Sequence, residues 1–239
     1  MRRVFLLRAY GDFAIAVQGL APTDKVIASL HLKPLYKALV SRACISPREI
    51  EFVDFGIQGS QLNLFTNKQF LRIDTFRQLA KIKAYIESNP GQNDYVEQSA
   101  RLGILNLFTG HYFKSIFETG NPVYAAYDLQ VQGLGKQGNQ VLILPDARLA
   151  KREIPASILA RMKGKVARFG KDYSNFEQLI ELIQAADYIY TADSLPLHLA
   201  YLCQKPHFVL YPEGGKIDFF TPHVLATGAY STFNQFNHV

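Results

Sequence analysis

Apolar residues recur along this chain with two different periods. Short continuous runs such as Val4-Phe5-Leu6-Leu7, Val141-Leu142-Ile143-Leu144 and Phe208-Val209-Leu210 read as strands buried on both faces, which is how parallel sheets are written. Between them lie stretches in which apolar positions return every three or four residues. Phe76, Leu79, Ile82 and Ile86 form one such series and Phe176, Leu179, Ile180 and Ile183 another, each giving a helix one apolar face. The pattern predicts strands over 3–9, 25–32, 49–55, 123–131, 140–144, 165–169, 188–191 and 207–211. It predicts helices over 13–20, 33–40, 75–88, 156–162 and 175–186, with 94–117 helical in part. Thr75 is expected to cap its helix, and Asn89-Pro90-Gly91 to stop it. Residues 56–74 and the stretch after Tyr211 show no clear period, and 227–239 are expected to pack on the first half or to fray.

Strands alternating with helices of this length indicate βαβ units and an α/β fold. The organisation reads as an N-terminal α/β domain over 1–131, a linker over 132–139 and a C-terminal α/β domain over 140–239. Gly133, Gly135 and Gly138 satisfy G-x-G-x-x-G, but a dinucleotide fingerprint must open a helix and this one opens into a strand. A glycine-rich linker fits better. Phe108, Tyr112, Phe113 and Phe117 read mainly as core, with the lining of an acceptor pocket as the other use of such a cluster.

Charge narrows the partners. The chain has 239 residues and a formal net charge of +6, a balance that suits anionic ligands. It contains no run of five or more Lys/Arg, so neither a nucleic-acid arm nor a polybasic membrane patch is expected. Two cysteines, Cys44 and Cys203, do not make a disulfide framework and are expected as reduced core thiols. Val4-Phe5-Leu6-Leu7 is too short for a signal-peptide core or a membrane span. A cytoplasmic protein is expected, with peripheral contact to a membrane face as an addition. No H-x-x-x-H or C-x-x-C motif is present, and no metal site is expected.

Three stretches carry candidate chemistry. In the first, Tyr188-Ile189-Tyr190-Thr191 is a β-favouring run that stops at Asp193. Ser194 is a preferred N-cap residue, Pro196 sits where a first helical turn tolerates proline, and Pro206 ends the helix. Asp193 and Ser194 therefore lie at the carboxyl end of a strand, at a helix N-terminus where N–H groups and the dipole favour an anion. The second stretch is Arg8-Ala9-Tyr10-Gly11-Asp12, after the first strand and ahead of an apolar helix. Asp12 there reads either as a helix cap or as a carboxylate facing a cleft. The third is Pro145-Asp146-Ala147-Arg148-Leu149-Ala150-Lys151-Arg152-Glu153-Ile154-Pro155, a cationic loop after a strand; a solvated basic turn is its plain alternative.

These residues resemble glycosyltransferase family 9, the ADP-heptose:lipopolysaccharide heptosyltransferases. Asp193, Ser194, His198 and Ala200 match the family's D-[ST]-G-x-x-H-x-A, Arg8, Gly11 and Asp12 match its opening motif, and Pro145 to Pro155 follows its P-x-[AS]-R-x-x-K-x-W-P. Leu195 stands where the family has glycine, and Ile154 where it has tryptophan. The resemblance implies a GT-B fold, two Rossmann-like domains facing a cleft, here with a reduced N-terminal domain. It implies a bacterial, inverting, metal-independent transferase moving a sugar such as heptose from a nucleotide-diphosphate donor, ADP-linked, to a glycan or glycolipid acceptor of the lipopolysaccharide type. No cofactor beyond that donor substrate is implied. Asp12 would be the general base. Arg148, Lys151, Ser194 and His198 would hold the diphosphate, and Asp193 would orient the loop or a donor hydroxyl. Arg8, Gly11, Glu213 and Gly214 would border the site. The loss of glycine at Leu195 leaves the alternative of a catalytically degenerate nucleotide- or glycan-binding partner subunit.

Overall fold

In a computed structural model the chain forms two five-stranded sheets, every strand parallel to its neighbours. The structure describes residues 2–57, 73–91, 94–97, 102–116 and 140–236. The expected strand over 123–131, the glycine-rich stretch 132–139 and Phe117 lie outside the described residues.

The first sheet contains β1 (Arg3–Leu6), β2 (Lys25–Ser29), β3 (Ile50–Val53), β4 (Asp94–Val96) and β5 (Phe113–Ser115), ordered β3-β2-β1-β4-β5. Its helices are α1 (Tyr10–Ala16), α2 (Lys33–Ser41), α3 (Ile73–Ser88) and α4 (Leu102–Thr109). The chain winds outward from β1 in one direction and then, from β4, in the other. The strand order thus reverses between β1 and β4, the place where open α/β sheets form a ligand crevice beyond their carboxyl ends. Phe5, Ile27, Phe55, Leu79, Ile82 and Phe113 make one buried cluster on this sheet.

Several expectations for this half need correction. Residues 94–117 contain two strands as well as a helix. β4 and β5 are three residues each, too short to show a period; the ladder to β1 holds β4, and the ladder to β4 holds β5. Arg3 and Asp94 are opposite each other in that ladder, and their side chains form a buried ion pair with Arg3 Nε donating to Asp94 Oδ1 at 2.6 Å. Arg3 also donates to the carbonyl of Asn89, and the His111 ring stands 2.8 Å from the same carboxylate. Helix α3 begins two residues before Thr75, which is buried inside the helix and does not cap it. Of the aromatic cluster Phe113 is core and Phe108 packs on its edge, whereas Tyr112 is exposed.

The second sheet contains β6 (Val141–Leu144), β7 (Lys165–Val166), β8 (Tyr188–Ala192), β9 (His207–Tyr211) and β10 (Tyr230–Thr232), ordered β10-β9-β8-β6-β7. Its helices are α5 (Ala156–Leu159), α6 (Phe176–Ala185), α7 (Leu195–Leu202) and α8 (Pro222–Thr227). Here the order reverses between β6 and β8. Asn175 caps α6 through a 2.9 Å bond from the Gln178 amide, and Thr221 caps α8. The described part of the C-terminal stretch adds a strand to the second sheet. Tyr230–Thr232 pairs with β9, and Phe236 is buried with Tyr190 and Phe208.

The chain separates into two compact units, one of residues 1–37 with 47–127 and one of 38–46 with 128–239. Residues 38–46 join the second unit through Arg42, which pairs with Glu181 at 3.1 Å, and whose carbonyl accepts from Gln184. Cys44 and Cys203 are both half-buried free thiols, with their sulfurs 3.2 Å apart. No described helix is long and apolar enough to cross a membrane.

Candidate functional site

The candidate residues fall on two sheet edges, one in each unit. At the carboxyl edge of the first sheet, the chain leaves β1 through Leu7, Arg8 and Ala9 and enters α1. The N-cap is Ala9, which makes no side-chain cap bond, so Gly11 and Asp12 lie inside the first turn. The capping alternative for Asp12 is therefore corrected: its carboxylate sits at the third helical position, where the dipole favours it without a cap bond. Arg8 reaches Asp12 at 3.7 Å; the Asp12 side chain is 32% exposed and that of Arg8 11%. The loop beneath is fixed by His31, whose Nε2 donates to the Arg8 carbonyl at 2.7 Å while Nδ1 accepts from the Ser29 hydroxyl. Burial lowers the His31 pKa and keeps that ring neutral.

On the other side of the reversal point is Glu97, the first residue past β4. It is 1% exposed. Its Oε1 accepts the Leu7 N–H at 2.9 Å, and its Oε2 has no hydrogen-bond partner among the described residues. Arg8 Nε is likewise a buried donor without a partner there. Burial, then the negative charge of Asp12, push the Glu97 carboxyl up to about 7. The sequence reading missed Glu97 because it missed β4. A carboxylate just past a strand at the reversal point would have been a candidate at once.

The edge of the second sheet is built from the loops after β6, β7, β8 and β9. Ser194 is the N-cap residue of α7 in extended conformation, but its hydroxyl donates to the Asp146 carbonyl at 3.0 Å and accepts no amide of its own helix. That bond ties the β8–α7 loop to the β6 loop. A second tie is the ion pair of Asp193 with Arg152 at 3.1 Å. Burial raises the Asp193 pKa and Arg152 opposes it. Asp146 in turn accepts from Arg168 at 2.5 Å and from the Phe169 amide at 3.0 Å. Arg148 and Lys151 are exposed on the same cationic loop, Lys151 in a single 3₁₀ turn with Arg152. Arg152, Asp146 and Arg168 were not singled out from the sequence. Arg152 follows Lys151 directly, and spacing alone does not tell which of two adjacent cations turns toward a loop aspartate.

His198 lies on α7 and is buried; burial alone lowers its pKa to about 4, so it is a neutral ring at ordinary pH. Helix α7 is buried from Pro196 to Leu202, on all its faces. Beyond β9, Glu213 accepts the Asn234 amide at 2.9 Å, which holds its pKa down. Gly214 turns the loop at φ +70°, a conformation glycine adopts without strain. The structure thus gathers Ser194, Asp193 and the 145–152 loop at one reversal point, while Asp12, Gly11 and Arg8 belong to the other unit. A cavity of about 410 Å³ lies at the opposite end of β6, lined by Val141, Leu142, Gly164, Lys165, Leu182 and Ala186, and holds none of these residues. Among the described residues no group of three or more His, Cys, Asp or Glu is placed to hold a metal ion.

Neither a protein-family model nor a curated protein sequence matches the chain. Solved structures do. E. coli ADP-heptose lipopolysaccharide heptosyltransferase II superposes with a TM-score of 0.54 at 14% identity, over 97% of this chain and 90% of that one. A glycosyl transferase family 9 protein from Veillonella parvula gives 0.51 at 13% identity, over 97% and 85%. E. coli heptosyltransferase WaaC with ADP gives 0.52 at 10% identity, over 96% and 92%. The chain has the fold of these heptosyltransferases and family 9 glycosyltransferases, in a divergent sequence.

Proposed function

We propose that the chain is an inverting glycosyltransferase that moves a sugar from a nucleotide-diphosphate donor to the hydroxyl of a glycan or glycolipid acceptor, without a metal. The two units act as a GT-B pair in this reading, with the donor at the edge of the second sheet and the acceptor hydroxyl brought to Asp12. The observation that carries the reading is Asp12 itself, a partly exposed carboxylate in a first helical turn at the reversal point of the first sheet, beside Arg8. Inverting transfer needs a carboxylate that takes the hydroxyl proton as the new bond to the sugar carbon forms. Charge on the departing diphosphate would be met by Arg148, Lys151 and the start of α7. The fold shared with heptosyltransferases, one of them solved with ADP, supports an ADP-linked donor.

Calorimetry with ADP, UDP, GDP and CMP, with and without magnesium, tests the donor side. Selective, magnesium-independent binding of one diphosphate is expected; binding of none would favour a non-catalytic partner subunit. Asp12→Asn should keep that binding and lose transfer by about two to four orders of magnitude, and equal turnover would remove Asp12 from the role. Lys151→Ala should weaken the diphosphate by about tenfold or more, the scale of one hydrogen bond to a charged group.

A further inference from the structure

Proton acceptance by Asp12 uses one carboxyl group at the reversal point of the first sheet, and Glu97 is a second at that point. Strands β1 and β4 are adjacent and in register, Phe5 beside Val96, so the residues that follow them emerge side by side. One exit leads through Leu7 and Arg8 to Asp12. The other is Glu97. Its buried carboxyl accepts the Leu7 amide of the neighbouring exit at Oε1 and leaves Oε2 without a partner among the described residues. An ionised carboxylate so placed is costly, and a carboxylic acid much less so.

We propose that Asp12 and Glu97 form a coupled pair that carries a single negative charge, the proton residing on buried Glu97 and the charge on half-exposed Asp12. Glu97 is a positioning residue in this arrangement. Below its midpoint it keeps its own proton, and by staying neutral it leaves Asp12 ionised and able to accept the hydroxyl proton while the sugar–phosphate bond breaks toward the diphosphate. The inference rests on the role proposed for Asp12, but the pairing itself is a property of the free protein.

The groups acting on Glu97 are few. From α1 comes Asp12, which opposes its ionisation; from the loop after β1 come Arg8, which favours it, and the Leu7 amide; its own amide favours it as well. His31, bonded to the Arg8 carbonyl, is neutral, and Lys114 of the neighbouring β5 lies toward the Tyr95 ring. Burial and Asp12 outweigh the rest and place the Glu97 ionisation at about 7. Two sites coupled in this way respond to each other's charge.

The test is a carboxyl ¹³C NMR titration of the full chain with labelled glutamate, the Glu97 signal identified by its loss in Glu97→Gln. Gln at this position still offers an oxygen to the Leu7 amide. The expected midpoint is near 7, and Asp12→Asn should move it down by about one pH unit. Asp12→Ser serves the same purpose should the first variant not fold. A midpoint in the ordinary carboxylate range, or one near 7 that ignores both Asp12 variants, overturns the pairing. In turnover, the pH profile of kcat should carry an ionisation near 7 that Glu97→Gln abolishes. The two readings fail separately. A coupled titration in a protein without transferase activity keeps the pair and removes the proposed function. An uncoupled Glu97 in an enzyme that needs Asp12 does the reverse.

Discussion

Both sheets reverse beside their first strand, the first after three strands and the second after two, yet their carboxyl edges treat charge differently. At the first, Glu97 is sealed from water with a backbone amide as its donor and Asp12 nearby. At the second, Asp146 and Asp193 each hold an arginine, and Arg148 and Lys151 are exposed. Behind the second edge the buried titratable groups are histidines instead. His207 donates through Nδ1 to the Lys205 carbonyl at 2.6 Å and accepts at Nε2 from the Thr221 hydroxyl at 2.7 Å, a neutral ring fixed in one tautomer. Burial lowers its pKa to about 3 and that of His198 to about 4. One edge suits the handling of a proton and the other the holding of an anion. The difference shows that a reversal beside the first strand sets where an edge opens and leaves its chemistry to the loops.

The largest effect that would sharpen this contrast is in the buried charge of the first unit. Asp94→Ala leaves Arg3 buried and unpaired and should cost about 3–5 kcal/mol in urea unfolding; a loss below 1 kcal/mol would mean the arginine escapes to water. Next in size is an opposition in pH. Glu97 has its folded pKa raised from the ordinary 4.5 to about 7, so its contribution is complete below 4.5 and lost as pH rises through 7. The two histidines, lowered from 6.5, act the other way: the fold is whole above 6.5 and loses stability as pH falls toward 4 and then 3. The shift in stability should be about 3 kcal/mol for Glu97 and for His198 and about 5 kcal/mol for His207 across their windows. Amide exchange should show β1 and β4 loosening on the alkaline side and β8 and β9 on the acid side. Loosening of both sheets in the same direction would break the comparison. The smallest effects belong to the exposed pairs. Arg152→Ala and Arg168→Ala should each change unfolding stability by less than about 1 kcal/mol, a loss the size of that for Asp94→Ala being the contrary result.

Much of the second unit was legible because its punctuation is local. Ser194 and Pro196 mark the start of α7, Asn175 caps α6, and the apolar runs of β6, β8 and β9 are long enough to stand out. The first unit was less so. β4 reads Asp94-Tyr95-Val96 and begins with a charged residue; it is a strand because Arg3 of β1 receives that charge. β5 and β10 are equally short and equally dependent on a neighbour. Asp12 and Ser194 could be named from the residues around them. Glu97 could not, because its environment is made by a strand pairing that joins residues ninety positions apart. The roles of Arg152 and Arg168 depend on the directions their side chains take, which a basic cluster in a sequence does not specify.

The last strand bears on how the chain could be shortened. β10 is three half-buried residues, and it covers the outer edge of β9, whose amides and carbonyls would otherwise face water. Cutting the chain before Tyr230 would remove that cover together with Phe236 from its seat against Phe208. The bared edge of His207–Tyr211 would then be a template for a strand from another copy. Poor recovery of such a fragment would reflect its stickiness and would carry no information about the candidate site.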